Sequence, residues 1–424
     1  MSTLKQSMLS VSALMTSVAV LLMGNGLLGT LIPVRANLES FSGIDIGILG
    51  SCYFIGFTLG CLTGPMLIAR VGHIRTYLAF VAVAAIAALV HALASDVWIW
   101  WLTRAMTGFS FSALFIVIES WLNERSNNTT RGTVLSIYMV INLTVLTLGQ
   151  LMLILADPRS FSLFAIAAIL FLLANLPIAM TSAQSPNPIP IVRPRLVRLY
   201  RISPVGSVAC FGVGLANGAF WSIGPVFPMD RGFGTTGIAV FMSAVVLGGA
   251  IAQWPLGRLS DAMDRRHVIL AACISASLCG LALSIGPSDD RLTLYVLGFL
   301  FGAFALPLYT LTVAHANDLT GPNDYVETSC SLLLLLGLGS SIGPTLSSVL
   351  DSLTERNQLF TYTFAIHLLM ACFVVWRTTR RAPVAATEKG EFKDALVAAQ
   401  TFAPIEDLKT PAAVIEQSHE QGPT

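Results

Sequence analysis

The sequence predicts an all-α membrane protein with twelve transmembrane helices in two pseudo-symmetric six-helix bundles. Three observations carry this prediction. The 424 residues are 54% hydrophobic and only 11% charged, whereas a soluble domain carries about 25% charged residues. Twelve apolar stretches are long enough to cross a bilayer, which takes about 20 residues in a helix. These stretches divide six and six around a segment rich in Pro and Arg.

The twelve predicted spans alternate with short polar loops. The first apolar run is too long for the core of a signal peptide and lacks a clear cleavage site, so we interpret it as a retained span. The spans cover residues 9–34, 45–68, 74–94, 97–118, 133–155, 160–180, 204–227, 235–256, 267–285, 292–314, 328–350 and 358–376.

The Lys and Arg residues predict the orientation. If both termini are cytoplasmic, 18 of the 24 basic residues lie in cytoplasmic segments, five in outer segments and Arg104 within a span. Cytoplasmic loops carry an excess of Lys and Arg. We therefore expect a multi-pass protein of the bacterial cytoplasmic (inner) membrane with both termini in the cytoplasm.

Four regions follow from these spans. We expect an N-terminal six-helix bundle (1–180), a solvated cytoplasmic linker (181–203), a C-terminal six-helix bundle (204–376) and a disordered cytoplasmic tail (377–424). The tail lacks a sustained apolar period, although residues 392–399 could form one short surface helix.

An internal repeat supports the two bundles. A stripe of small residues lets membrane helices approach closely, and the second span carries one in which glycine recurs every fourth residue. A shift of 193 or 194 residues aligns three features of the two halves. The aligned positions are Gly56, Gly60 and Gly64 with Gly249, Gln253 and Gly257; Gly149-Gln150 with Gly343-Pro344; and the short basic loops after Gly64 and Gly257.

Three segments carry a resemblance to a known family. Residues 257–266 read GRLSDAMDRR, residues 64–75 read GPMLIARVGHIR, and Arg104 and Gly108 form an R-x-x-x-G pattern in the fourth span. The first segment resembles the G-x-L-x-D-x-x-G-R-R loop of the major facilitator superfamily, with Asp264 in the place of the last glycine. With the twelve spans, the resemblance covers about residues 5–380.

The loop motif has two interpretations. Glycine allows a tight turn and the arginines hold the loop in the cytoplasm, so the loop could only fix the topology. Alternatively, Asp261 could pair with a neighbouring helix end and latch the bundle in one state. The first loop has Ala69 at the acidic position, so it lacks this latch or builds it differently. The motif residues in the two loops are Gly64, Arg70, Gly72, Arg75, Gly257, Asp261, Arg265 and Arg266.

A further run is similar to a poorly characterised bacterial branch of the superfamily that is described as efflux-like permeases. It comprises residues 119–125, Arg131-Gly132, Tyr138-Met139 and Gly149-Gln150. Drug/proton antiporters usually carry G-x-x-x-G-P in the fifth span. Here the pattern occurs in the eleventh span instead, as Gly339, Gly343 and Pro344, which argues against a drug antiporter.

Other classes of function find little support. A net charge of +1 leaves no basic surplus for nucleic acid. The sequence has no Walker loop, no G-x-S-x-G elbow and no zinc motif, so we expect no enzyme activity, no cofactor and no metal. The seven cysteines all lie in apolar stretches, where they are interpreted as buried thiols.

The candidate site is centred on the fourth span. A charge within the hydrocarbon is costly and indicates function, and only Arg104 lies clearly inside a span. Helical geometry puts Arg104, Gly108 and Glu119 on one face, with about 22 Å between the first and the last along the axis. Arg104 could bind an anionic group, tune a nearby acid, or be a structural arginine. Glu119 could carry the coupled proton or pair with Arg70, Arg75 or Arg131 in a cytoplasmic gate.

The superfamily resemblance implies a cavity surrounded by spans one, four, seven and ten. Each polar or aromatic residue on these spans and their neighbours could instead form an interhelical hydrogen bond or pack. The histidines His91, His315 and His367 are better suited to interfacial roles. The path candidates are Asn25, Tyr53, Asn142, Gln150, Asn217, Trp221, Gln253 and Tyr309.

These observations predict a secondary transporter that moves a small organic solute by alternating access. Its partners would be the solute, protons and the lipid bilayer, and it would function as a monomer. Proton-coupled export is the leading hypothesis, and import by proton symport is the alternative. A membrane sensor or scaffold that signals through the tail is the rival of a different class.

Overall fold

The fold is known from a computed structural model. It describes residues 3–125, 131–180, 194–286, 290–321, 324–354 and 357–380, together with residues 389, 390, 392 and 395. Across these described residues the regular structure is helical. Twelve helices or helix pairs in this part of the chain are long and apolar enough to cross a membrane, as predicted.

The helices follow one another with short connections, and a 3₁₀ turn, Met152–Leu155, follows α5. In chain order they are α1 (Thr3–Leu38), α2 (Gly43–Val71), α3 (His73–Leu93), α4 (Val97–Arg125), α5 (Arg131–Leu151), α6 (Ser162–Ala179), α7 (Leu196–Ile202), α8 (Pro204–Ile223), α9 (Val226–Asp230), α10 (Thr235–Ala262), α11 (Arg265–Ile285), α12 (Arg291–Ala305), α13 (Leu308–Asn317), α14 (Tyr325–Thr354) and α15 (Leu359–Thr378).

The structure differs from the predicted elements in the seventh span, the tenth span and the linker. The predicted span 204–227 ends as helix α8, and its last residues belong to the short helix α9. The tenth span is broken into α12 and α13 at Pro307. Proline has no amide hydrogen for the helix ladder, and its ring clashes with the preceding turn, which favours a break here. The last part of the predicted linker is helix α7. Its Leu199 is buried, and Arg198 on the same turn forms ion pairs with Asp324 and Glu327 beside α14.

The two halves of the chain, residues 3–180 and 194–378, repeat the same close helix pairs. A Cβ on Gly108 of α4 would meet the Tyr53 carbonyl oxygen of α2, and one on Gly302 of α12 would meet the Val245 carbonyl oxygen of α10. Gly302 follows Gly108 by 194 residues, and Val245 follows Tyr53 by 192 residues. Likewise, α5 contacts α1 through Gly149 and Met23, and α14 contacts α8 through Gly343 and Leu215.

Local sequence fixes the ends of α2. Its first turn is a capping box, in which the Ser42 hydroxyl accepts the Asp45 amide hydrogen and the Asp45 carboxylate accepts the Ser42 amide hydrogen. The helix ends at Gly72, whose φ of +91° suits glycine. This confirms a glycine turn in the first basic loop. We refer below to the Ser42 end and to the Asp261 end of the bundle, the latter at the end of α10.

Candidate functional site

Arg104 is buried in the fourth span with an aromatic ring as its neighbour. Its side chain is 8% exposed, and its guanidinium carbon lies 4.4 Å from the centroid of the Tyr53 ring. Among the described residues it has no hydrogen bond and no ion pair. A cation over an aromatic face is stabilised by the ring quadrupole, but the charge still lacks an anionic partner.

Glu119 is fully buried near the other end of α4. Its carboxylate interacts electrostatically with the side chains of Tyr138, Tyr309 and Cys61. The helices that carry these residues are α5, α13 and α2, so both halves of the chain contribute to its surroundings. The sequence therefore found two buried charges, and the fold adds two tyrosines beside the second.

Two of the three predicted gate partners of Glu119, Arg70 and Arg75, do not pair with it in the described part of the chain. Both arginines are exposed. Arg131 begins α5, but its side chain lies outside the described residues. Pairing with Arg131 stays a prediction.

A series of aromatic rings connects the surroundings of the two charges. The Tyr53 and Phe57 ring centroids lie 6.2 Å apart, and those of Phe57 and Phe115 lie 6.3 Å apart. Phe115 precedes Glu119 by one helical turn on α4. This aromatic wall, Tyr53, Phe57 and Phe115, offers apolar surface with a cation at one end and a carboxyl group at the other.

The remaining path candidates are not gathered around one point. Gln253 donates a hydrogen bond of 2.8 Å to the Thr310 hydroxyl, which matches the interhelical interpretation. Gln150 is buried, and its Oε1 accepts no hydrogen bond from the described residues. Four further candidates are half-buried on α1, α5 and α8, namely Asn25, Asn142, Asn217 and Trp221.

At the Ser42 end the two halves meet closely. The hydroxyls of Ser51 on α2 and Thr345 on α14 lie 2.8 Å apart. Gly47 faces Ser348, and Gly50 faces Ser222, with no room for a Cβ. Small residues thus let α2 approach both α14 and α8, so that the two halves are in close contact at this end.

A cavity of about 940 Å³ lies at the same end. Asn37, Phe41 and Ser42 line it from the first half, and Asp230 and Asp351 line it from the second. Burial raises the pKa of the Asp230 carboxyl, although the hydrogen bond from Asn357 opposes the shift. The cavity forms a vestibule at the Ser42 end with both polar and apolar lining residues.

At the Asp261 end, Arg265 organises the second basic loop. Its guanidinium donates to the Asp318 carboxylate at 2.7 Å, to the Asp261 carboxylate at 2.9 Å and to the Ser260 hydroxyl at 2.8 Å. The side chain is 1% exposed. Asp261 therefore pairs with a neighbouring helix end, as one interpretation of the motif predicts, and the partners named all belong to the second half.

Asp264 stabilises the start of α11. Its carboxylate accepts from the Arg266 amide at 3.0 Å and from the Arg266 side chain at 2.7 Å. Burial alone would raise the pKa of this carboxyl, but the hydrogen bonds from Arg266 outweigh burial and hold the pKa below its usual value. A lowered pKa means that the pair stabilises the loop at neutral pH and is lost only in strong acid.

The first half has no equivalent network among the described residues. Arg70, Arg75 and Ala69 are exposed, and in the described ranges neither arginine forms an ion pair. This agrees with the prediction from Ala69.

Comparison with known proteins decides the family. The Major Facilitator Superfamily profile matches residues 14–285 and 206–415. The chain belongs to the major facilitator superfamily (MFS). It is 27% identical over 337 residues to an uncharacterized MFS-type transporter of Yersinia pestis (strain Pestoides F), which covers 78% of this chain and 86% of the relative. It is also 27% identical over 356 residues to the uncharacterized MFS-type transporter YcaD of Escherichia coli O17:K52:H18, covering 82% and 91% of the two chains.

Solved structures share the fold of this MFS transporter. A mutant form of the nucleoside transporter NupG superposes with a TM-score of 0.73 at 12% identity, over 86% of this chain and 100% of NupG. A mutant form of the E. coli fucose:proton symporter FucP gives 0.55 at 12% identity, over 88% and 99% of the two chains. The chain is thus a multi-pass membrane transporter of a small molecule that is not yet identified.

Sequence reasoning missed two sets of contacts. Asp318, the partner of Arg265, lies 53 residues away, and no spacing rule links the two. The three histidines were expected at interfaces, but His91, His315 and His367 are all buried. The Nε2 atom of His91 lies 3.2 Å from the hydroxyl of Thr103, the residue before Arg104.

Proposed function

We propose that this MFS transporter exports a small organic solute, uncharged or amphipathic, in exchange for protons. The observation that carries the proposal is the pair of buried charged residues on α4, Arg104 and Glu119, with the aromatic wall between them. Charged groups within a membrane span are costly, and they commonly mark substrate and proton paths.

Arg104 holds the polar end of the solute. Its guanidinium carries five donor hydrogens, and no carboxylate of the described residues neutralises it. A carbonyl, hydroxyl or carboxylate of the solute would receive these donors while its apolar part packs on the rings of Tyr53 and Phe57. This geometry supports an amphipathic solute.

Glu119 carries the proton. A carboxyl group in a buried site alternates between a neutral and a charged form as the local environment changes. Tyr138 and Tyr309, from different halves of the chain, interact with it, so movement of the halves alters that environment. Proton binding and the position of the halves would therefore be coupled.

The Lys and Arg distribution supports a bacterial inner-membrane location with the Asp261 end and both termini in the cytoplasm. In that orientation the hydrogen bond between Ser51 and Thr345 joins the two halves at the outer side, which supports a state that is closed to the outside. The proposed path is built from one chain, which supports a monomer. Import by symport is the second candidate, because FucP is a proton symporter of the same fold.

Reconstituted vesicles with an internal pH dye test the proposal. Each vesicle sample would receive one solute from a panel that includes nucleosides, hexoses, aromatic carboxylates and hydrophobic amines. Exchange predicts that a transported solute, added outside, moves inward while protons move outward, so the luminal pH rises. Symport predicts that the luminal pH falls. Solute uptake without any pH change would contradict proton coupling, and vesicles without protein are the control.

A further inference from the structure

Four described residues of the C-terminal tail lie on the second basic loop. The Lys389 ammonium donates to the Met263 carbonyl oxygen at 2.7 Å. The Gly390 amide donates to the Asp318 carboxylate at 3.0 Å, and its carbonyl accepts from Arg265. The tail therefore adds to the ion-pair network that joins α10, α11 and the end of α13.

The next contacts bury an aromatic ring. The Phe392 amide donates to the Asp261 carboxylate at 3.0 Å, and its side chain is 5% exposed. Ala395, at 4% exposed, belongs with it to the apolar cluster that includes Val268 and Leu308. Phe392 and Ala395 are helical, in agreement with the short helix expected over 392–399, although both are buried and not at the surface. Residues 396–424 lie outside the described part of the chain.

The Phe392 ring packs against Gly257, and a different kind of residue packs against the equivalent glycine in the first half. A Cβ on Gly257 would meet the Phe392 ring. The repeat aligns Gly257 with Gly64, and there the neighbour is Ile116 of α4, 3.0 Å from the position of a Cβ. In the first half a helix residue packs on this glycine, whereas in the second half a tail residue does so.

We propose that the described tail residues Lys389, Gly390, Phe392 and Ala395, the strap, act as a bound ligand of the chain's own second half. Its binding site, the socket, combines an apolar surface for the ring with carboxylates and a guanidinium that pair with strap backbone groups. The socket residues are Gly257, Asp261, Arg265 and Asp318.

The strap holds the second half rigid at the Asp261 end. Each carboxylate of the socket accepts from the strap and from Arg265, so releasing the strap removes partners from the same groups that connect α10 with α13. The described strap contacts are all within the second half. The strap is therefore a clamp of one half and not a lock between the halves, which leaves the rocking movement free.

Hydrogen exchange of the full-length protein, followed by mass spectrometry, tests the strap. In the wild-type protein the amides of Gly390 and Phe392 are expected to exchange at least about tenfold more slowly than an unstructured chain, because local opening limits exchange. In Phe392→Ala this protection is expected to disappear, and residues 259–265 are expected to exchange faster.

Two further variants make the result specific. Phe402→Ala removes an aromatic ring further along the tail, and it should leave exchange unchanged if the ring of Phe392 is the one that the socket binds. Gly257→Ala leaves the tail intact but fills the place of the ring, and it should release the strap as Phe392→Ala does. Wild-type tail amides that exchange at the unstructured rate would overturn the proposal. So would equal loss of protection in Phe402→Ala.

Discussion

Replacing Glu119 with glutamine is expected to abolish the solute-driven pH change in vesicles. Glutamine has nearly the same shape and keeps one hydrogen-bonding oxygen, but it cannot bind and release a proton at physiological pH. Because Glu119 is completely buried, a solvent-exposed carboxylate cannot take over its position. The expected signal is that of vesicles without protein, whereas solute binding by Arg104 should persist.

Glu124→Gln is the matched control. Glu124 lies on the same helix, five residues further on, but it is exposed, so its replacement should leave the pH change within about twofold, as for most surface substitutions. A normal pH change in Glu119→Gln would remove Glu119 from the proton path and assign it to a structural role.

Replacing Gly108 with alanine is expected to destabilise the first half strongly. The new Cβ would meet the Tyr53 carbonyl oxygen, so α4 and α2 must separate and the stack of Arg104 on Tyr53 must change. Overpacking of this kind costs about 1–3 kcal/mol. Thermal unfolding in detergent should show a clear fall in the midpoint and loss of transport.

Gly29→Ala is the control for this change. Gly29 lies in α1 and has open space where a Cβ would be, so alanine should leave the midpoint unchanged or raise it slightly. Equal stability of Gly108→Ala and the wild type would contradict the close contact of α2 with α4.

Much of the fold can be predicted because its determinants are local. A membrane span is a run of consecutive apolar residues, and the number of basic residues in each loop indicates the side of the membrane on which the loop lies. The alignment of Gly64 with Gly257 needs only a fixed offset in the sequence. The break at Pro307 was missed because the hydropathy of 292–314 is continuous, and proline interrupts the helix without interrupting the apolar run.

The charged groups of the candidate site were predictable. A lone arginine within a span and a glutamate on the same helical face stand out from the sequence, so Arg104 and Glu119 could be found. Tyr53, the neighbour of Arg104, lies on another helix, and helix packing alone puts the ring under the guanidinium. The strap lies 125 residues from Arg265, and its residues lie in a tail whose composition predicts disorder.

The closed contact at the Ser42 end offers the most direct test of alternating access. Ser51→Cys with Thr345→Cys, in a background without the seven native cysteines, should form a disulfide on oxidation, because the two hydroxyls are 2.8 Å apart. The two single-cysteine variants are the controls. The account predicts that oxidation of the double variant stops solute flux and that reduction restores it, since the path can no longer open at this end. Full flux through the cross-linked protein would contradict the account.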